Sequence, residues 1–346
     1  MKTINTLIVL IFFSSCANII PPNGGPKDTS APLLILSSPK DKSLTFSEEK
    51  IVFTFDEKII VKDFYGEFFI SPPLSKKVEF SVKSNRLIVQ LNQSLKKNTT
   101  YFISLGQSVS DLNEGNTINN PSILFSTGKK LDTLYIEGFV SEAISGEKTK
   151  NCWLFLHPYL ENKNYQNLFE DADFISKTDE NGYFSFPNLT NKDYHLVALN
   201  DLDNNLNYSL PNEKVGFLDS VKTSSLNIYK VTIFSKNDSL ETKLSKIDSR
   251  TATGRLVLDS VPENCIVELY NDKGIVYGEG KNNRFVADSI QAGSYMLRLI
   301  YDENQNGKWD SGNLENRIQA EKISFYPENI QIRSNWDLEL KWKTSK

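Results

Sequence analysis

The sequence predicts an all-β chain of tandem β-sandwiches, and three observations carry the prediction. Apolar and polar residues alternate with a period of two over short runs, clusters of Pro, Gly, Asn and Asp separate these runs, and no long stretch carries a helical stripe. Ile51, Phe53 and Phe55 alternate with Val52, Thr54 and Asp56; Leu87, Val89 and Leu91 with Arg86, Ile88 and Gln90; Tyr101, Ile103 and Leu105 with Phe102, Ser104 and Gly106. The last run sets Trp336, Leu338, Leu340 and Trp342 on one side and Asp337, Glu339, Lys341 and Lys343 on the other. This is the pattern of antiparallel sheets with one buried face.

The first residues read as an address and an anchor. Lys2 gives a positive start, Leu7 to Phe13 run apolar, and Ser14-Ser15-Cys16 follow as small residues ending in a thiol. The apolar run is far shorter than the roughly 20 residues that span a bilayer. The segment resembles a bacterial lipoprotein signal, which implies cleavage after residue 15, lipidation of Cys16 and attachment to a membrane. Phe13 departs from the usual Leu or Val, and the alternative is an ordinary secretory signal. Residues 16–30, with Pro21-Pro22-Asn23-Gly24-Gly25-Pro26, hold neither helix nor sheet and form a tether with a reach on the order of 50 Å. No Asp follows Cys16, which favours the outer membrane and leaves periplasmic and external orientations open.

The chain has 346 residues and a net charge of −4. That length suggests two or three domains, and the mild acidity gives no case for binding nucleic acid. Beyond the anchor only Cys152 and Cys265 remain. They open equivalent strands of two modules and so read as separate buried residues and not as a disulfide.

Residues 31–129 resemble the bacterial Ig-like domain of the S-layer-protein type, found in lipoproteins of outer-membrane bacteria. The residues that carry this are Gly24-Gly25-Pro26-Lys27-Asp28, Phe55-Asp56-Glu57, Ile70-Ser71-Pro72-Pro73, Asn98-Thr99-Thr100-Tyr101, Asp111 to Asn116 and Phe125-Ser126-Thr127-Gly128. The resemblance implies a fold and a location, not a reaction. Beyond it one module occurs twice, at 130–234 and 251–346, joined by a polar connector at 235–250 with some helical character. Phe184, Tyr194 and Asp201 recur with the same spacings as Phe285, Tyr295 and Asp302, and Asn151-Cys152 recurs as Asn264-Cys265. Each copy resembles a transthyretin-like or carboxypeptidase-regulatory-like β-sandwich, which implies a non-catalytic module.

The strongest chemical pattern is Asp302-Glu303-Asn304-Gln305-Asn306-Gly307-Lys308-Trp309-Asp310. Oxygen side chains at Asp302, Asn304, Asn306 and Asp310, with Gly307 at the sharp turn, have the spacing of a structural calcium loop. The Glu expected at position twelve is absent, since Asn313 stands there. Asp201, Asp203 and Asn205 form a weaker version without the Gly. The competing reading is a turn rich in Asn, Asp and Gly because these residues accept left-handed backbone angles.

Enzyme signals are poor, and no cofactor motif is present. His157 and His195 are the only histidines, and strand parity puts Cys152 on the opposite face from His157. A carboxylate pair drawn from Asp56, Glu57 and Asp111 needs no local motif and stays open. The favoured expectation is a structural or binding lipoprotein of the outer membrane that holds an envelope protein or a glycan, with Tyr159, Tyr165 and Tyr208 as candidate sugar-stacking residues. The alternative is an accessory subunit or hydrolase of an envelope system, which a carboxylate-lined cleft at a module boundary would favour.

Five triplets run Asp, hydroxyl residue, aliphatic residue: they centre on Thr133, Ser220, Ser239, Ser260 and Ser289. The triplet resembles the O-glycosylation acceptor of exported proteins in the bacteria where such lipoproteins are common. The structural alternative is that Asp-Ser begins a turn and the aliphatic residue begins the next strand.

Overall fold

A computed structural model describes residues 27–159, 167–223, 227–240, 253–272, 274–280 and 282–342. Cys16, Tyr165 and residues 241–250 of the connector lie outside them. The described residues form 24 strands and one short helix, arranged as three β-sandwiches in tandem.

The first sandwich holds β1 (Leu34–Ser38), β2 (Lys50–Phe55), β3 (Ile59–Val61), helix α1 (Phe64–Glu67), β4 (Phe69–Ser71), β5 (Glu79–Lys83), β6 (Arg86–Gln90), β7 (Thr100–Ser104), β8 (Val109–Asp111) and β9 (Ser122–Ser126). The sheet β1-β2-β6-β5 faces β4-β7-β9, with β3 and β8 as a separate pair. The alternation read from sequence falls on this core: Ile51, Phe53, Phe55, Leu87, Val89, Tyr101 and Ile103 are buried together. Tyr101 is tolerated there because its hydroxyl accepts the N–H of Lys96 at 2.9 Å.

The second sandwich is built from β10 (Leu134–Glu142), β11 (Trp153–Pro158), β12 (Phe174–Lys177), β13 (Tyr183–Leu189), β14 (Asp193–Asn200), β15 (Lys214–Lys222) and β16 (Ile228–Ile233). The third holds β17 (Thr253–Asp259), β18 (Cys265–Asn271), β19 (Gly274–Glu279), β20 (Arg284–Gln291), β21 (Gly293–Tyr301), β22 (Ile323–Phe325), β23 (Ile330–Ile332) and β24 (Asp337–Lys341). Their strand orders correspond: β13-β10-β16 with β20-β17-β24, and β12-β11-β14-β15 with β19-β18-β21-β22. Both contain one parallel pair, β10 with β16 and β17 with β24. Cys152 and Cys265 are free and buried in separate cores, and burial raises both thiol pKa values, that of Cys265 to about 11.

One expectation needs correction. A sheet with one wet face was expected throughout, yet the sheet β12-β11-β14-β15 is buried on both faces. Leu154, Leu156, Leu196 and Ala198 point into the second sandwich's own core. Trp153, Phe155, Val197 and Leu199 point outward into an apolar layer shared with Phe69 of the first sandwich and Ile266, Ile300, Trp309 and Leu314 of the third. The continuous apolar run Trp153-Leu154-Phe155-Leu156 is the sequence form of a strand with two buried faces.

Polar contacts fix the same junctions. Between the first two sandwiches, the Ile175 N–H donates to Ser71 Oγ at 3.0 Å, and Lys177 Nζ reaches the Gly66 carbonyl at 2.7 Å and Glu67 Oε1 at 3.1 Å. The edge strands β4 and β12 thereby cover one another, which blunts two edges open to aggregation. Between the second and third, Gln319 Nε2 donates to the Phe217 carbonyl at 2.8 Å and Ser311 Oγ to the Ser235 carbonyl at 2.7 Å. Gly146 has a φ of +70°, and a Cβ there would lie 2.6 Å from the Phe325 ring, so this turn requires glycine twice over.

Candidate functional site

The two turns that follow β14 and β21 carry the sequence-predicted ligand residues, and each is closed by its own hydrogen bonds. Asp302 Oδ1 accepts the N–H of Asn306 at 3.1 Å and Oδ2 that of Gly307 at 2.8 Å. Asn304 Oδ1 accepts the Asn306 N–H and Asn306 Oδ1 the Lys308 N–H, each at 3.0 Å. Asp310 Oδ2 accepts Asn304 Nδ2 at 2.6 Å and also Asn306 Nδ2. The amide of Asn304, then that of Asn306, holds the Asp310 pKa below its ordinary value against the opposing effect of burial. The four residues named for calcium therefore meet, with their oxygens turned onto the loop's own donors.

In the other turn Asp201 Oδ2 accepts the Leu206 N–H at 2.9 Å, Asp203 Oδ1 the Asn205 N–H at 3.2 Å, and Asn205 Oδ1 the Asn207 N–H at 2.7 Å. Here the weaker sequence pattern gathers more charge. Asp201, Asp203 and Glu213 place carboxylate oxygens within 4.8 Å of one another, the one such group of three among the described residues. Asp201 Oδ1 is buried without a hydrogen-bond partner. Burial raises the Asp201 pKa first, with Asp203 and Glu213 adding, against the lowering N–H of Leu206.

Sequence reasoning missed Glu213 and its counterpart Glu321. Glu213 is fully buried and accepts the N–H groups of Leu202 at 3.2 Å and of Ser209 and Leu210 at 2.9 Å. Glu321 accepts those of Glu303 and Asp310, both at 2.9 Å. In each turn one carboxylate thus ties the residue after the first Asp to the residue after the aromatic, Tyr208 or Trp309. The two glutamates lie at different distances from their Asp, so no fixed spacing reveals them. Burial is the first cause of the raised Glu321 pKa, to which Asp302 and Asp310 add.

The other named residues are dispersed. Asp56 Oδ1 accepts the Leu33 N–H at 2.8 Å, and Asp111 accepts those of Glu114, Gly115 and Asn116 at 2.6–2.9 Å. Burial acts to raise the Asp111 pKa, but these N–H donors outweigh it and lower it. Glu57 is raised, by burial first and then by Asp111 and Asp56. A cleft of about 310 Å³ does lie at the boundary of the first two sandwiches and includes Glu67, Asp179 and Glu180. Each of these is committed: Glu67 to Lys177 and the Gln107 N–H, Asp179 to the N–H groups of Asn181 and Tyr183, Glu180 to Lys150.

His157 and His195 lie opposite each other on β11 and β14 and are buried, while Cys152 faces the other core. Tyr159 stacks one face on His195 at 4.8 Å and is 48 % exposed, and Tyr208 is half-buried. Thr133, Ser220, Ser239, Ser260 and Ser289 are all exposed; Val221, Val261 and Ile290, which follow three of them, are buried.

No curated protein matches the chain. Among solved structures, the Bacillus anthracis TIE protein is 12 % identical over 93 % of this chain and 59 % of its own length, with a TM-score of 0.19. The chain thus spans about three-fifths of that protein. The minor pilin GBS52 of Streptococcus agalactiae is 15 % identical over 62 % and 98 % of the two chains, with a TM-score of 0.20. The major pilin subunit BcpA of Bacillus cereus is 13 % identical over 57 % and 68 %, also at 0.20. Overlaps this loose carry nothing about architecture or role. The family model of the bacterial Ig-like domain matches residues 28–127, which span all nine strands of the first sandwich, and that part of the chain is a bacterial Ig-like domain.

Proposed function

We propose that this is a non-catalytic cell-envelope protein, anchored by lipid at Cys16 to the outer membrane, that displays an Ig-like domain and two transthyretin-like sandwiches in a structural or adhesive role. The observation that carries this reading is the middle sheet β12-β11-β14-β15, buried under both neighbouring sandwiches. Modules held this way form a stiff spacer and not a hinged pair of jaws. The committed state of Glu67, Asp179 and Glu180 supports the same reading over a hydrolase, because a general acid or nucleophile must be free to meet a substrate. Structural calcium at the turns and glycans on the five exposed hydroxyl residues belong to this proposal as additions to a scaffold.

Metabolic labelling with a fatty acid tests the anchor. The wild type is expected to take up label and partition into detergent, and Cys16→Ser to do neither. A wild type that takes up no label overturns the anchored reading.

A further inference from the structure

Trp336 stands apart among the four tryptophans of the chain. Trp153, Trp309 and Trp342 are buried, whereas Trp336 is 62 % exposed. Sequence alternation put it on a buried face with Leu338 and Trp342; it stands instead one residue before β24, at the corner where the chain leaves β23. That corner is fixed. The Trp336 carbonyl accepts the Arg255 N–H at 3.0 Å, and the Asn335 N–H donates to the Thr253 carbonyl at 2.8 Å.

The indole lines a groove of about 360 Å³ between the two sheets of the third sandwich. Tyr326, Leu338 and Leu340 give it an apolar floor, and Asn329, Gln331 and Arg333 a polar rim, with Glu328 beside them. At the corresponding place the second sandwich is closed by its own chain: the Tyr229 hydroxyl joins the N–H and C=O of Lys222, where the third sandwich has Leu340 and Gln331. Among the described residues no such bridge joins β23 to β24.

We propose that this groove is a saccharide-binding site, with the apolar face of a pyranose ring seated on Trp336. A sugar ring presents C–H groups on its faces and hydroxyls at its rim, and the groove divides its surface in the same way. Among the described residues, Glu328, Asn329, Gln331 and Arg333 have no side-chain hydrogen bond or ion pair within the fold, so their donors and acceptors remain for vicinal hydroxyls. An aromatic ring on a rigid corner loses little freedom on binding, which favours it as an anchor. Rim charges of both signs disfavour an anionic surface as the occupant. A peptide adding to the edge of β24 would use backbone groups and would leave the exposed indole and its polar neighbours without a role.

The proposal rests on the reading of the chain as a non-catalytic binding protein and names the ligand class for it. The test is titration of the full chain with N-acetylated chitotriose, maltotriose and mannotriose, read by tryptophan emission and by quenching with iodide. Because Trp336 is the exposed indole, at least one sugar is expected to shift its emission to the blue and to protect it from iodide, saturably. Trp336→Ala is expected to weaken binding roughly tenfold or more without lowering the Tm, as for loss of an aromatic anchor. Gln331→Ala combined with Arg333→Ala should weaken binding while leaving the free protein's emission unchanged. No saturable response to any of the three sugars overturns the proposal, as does a response that survives in Trp336→Ala or one given only by a β-strand peptide. Lipid labelling at Cys16 is independent of this outcome, so loss of the sugar site and loss of the envelope reading are told apart.

Discussion

Glu268 and Arg298 face each other across β18 and β21 with a nitrogen-to-oxygen distance of 2.6 Å, and both side chains are almost wholly buried. Arg298 also packs on the Tyr270 ring at 4.5 Å and sends its second terminal nitrogen to the Ile144 carbonyl of the second sandwich, at 3.4 Å. By the internal repeat, these two positions correspond to Phe155 and Val197, which pair directly across β11 and β14. An ion pair therefore stands in the last sandwich where an apolar pair stands in the middle one. The middle pair lies beneath a thick apolar layer, whereas the last pair meets a backbone carbonyl that only a donor can satisfy.

Removing one partner leaves the other as an uncompensated buried charge. Glu268→Ala is expected to cost about 3–5 kcal/mol in denaturant unfolding, while Glu268→Leu with Arg298→Met should lose far less. Equal losses in the single and double variants would show that the pair's electrostatics are not the cause.

Asp201 gives a dependence on pH. A carboxyl whose folded pKa is raised stabilises the fold fully below its unfolded pKa, and that contribution is lost as pH rises through the folded pKa. Asp201→Asn is therefore expected to raise the Tm at pH 7 in the presence of a chelator and to change it little near pH 3. Millimolar calcium reads the other possibility: an ion held by Asp201, Asp203 and Glu213 would raise the wild-type Tm, and Asp201→Asn would remove that rise.

Gly146→Ala tests the second junction. The new methyl meets the Phe325 ring, and the left-handed φ is retained at a cost, so a loss of about 1–3 kcal/mol is expected. Small-angle scattering of the variant should show a longer and more variable particle if the ring is displaced. An unchanged profile and Tm would mean that the turn yields locally.

Thiol chemistry tests the two inner cores. In Cys16→Ser protein, Cys152 and Cys265 should resist alkylation in the native state and react together on unfolding, because burial withholds the reactive thiolate. Rapid native labelling at Cys265 would mean that the third sandwich opens on its own.

Intact mass of the protein from its native host tests the five triplets. Glycan increments are expected, lost in steps as Thr133, Ser220, Ser239, Ser260 and Ser289 are changed to Ala. A mass equal to that of the lipidated polypeptide removes the glycan proposal and leaves turn geometry as the reason for the pattern. Ser260 and Ser289, with φ values of 68° and 59°, already show that such geometry operates at two of the sites.

Period-two alternation made the strands legible wherever one face is wet, as at Ile51, Phe53 and Phe55, because burial of one face is a property of neighbours in sequence. It failed where burial is decided by another module. Trp336 stands exposed at the corner just before β24, and the double burial of Trp153 to Leu156 depends on residues more than a hundred positions away, such as Trp309. The Asp and Asn turns were legible as turns and ambiguous as ligands, since the same oxygens serve a backbone N–H or a cation. Glu213 and Glu321 were not legible at all, because each meets its turn only after the chain has folded back.

The doubly covered sheet also sets a rule of grammar for chains assembled in this way. The larger sheet of the third sandwich carries Glu268 and Arg298 on the side that meets the second sandwich, where they neutralise each other and Arg298 reaches the Ile144 carbonyl, while the matching positions of the middle sandwich, Phe155 and Val197, are apolar. A strand covered by an apolar layer on both faces thus writes itself as an unbroken apolar word such as Trp-Leu-Phe-Leu, and one that meets its neighbour through a buried ion pair as an interrupted word such as Ile-Val-Glu-Leu. Exchanging the second and third sandwiches would therefore require both of these faces to be respelled before either fitted its new surroundings.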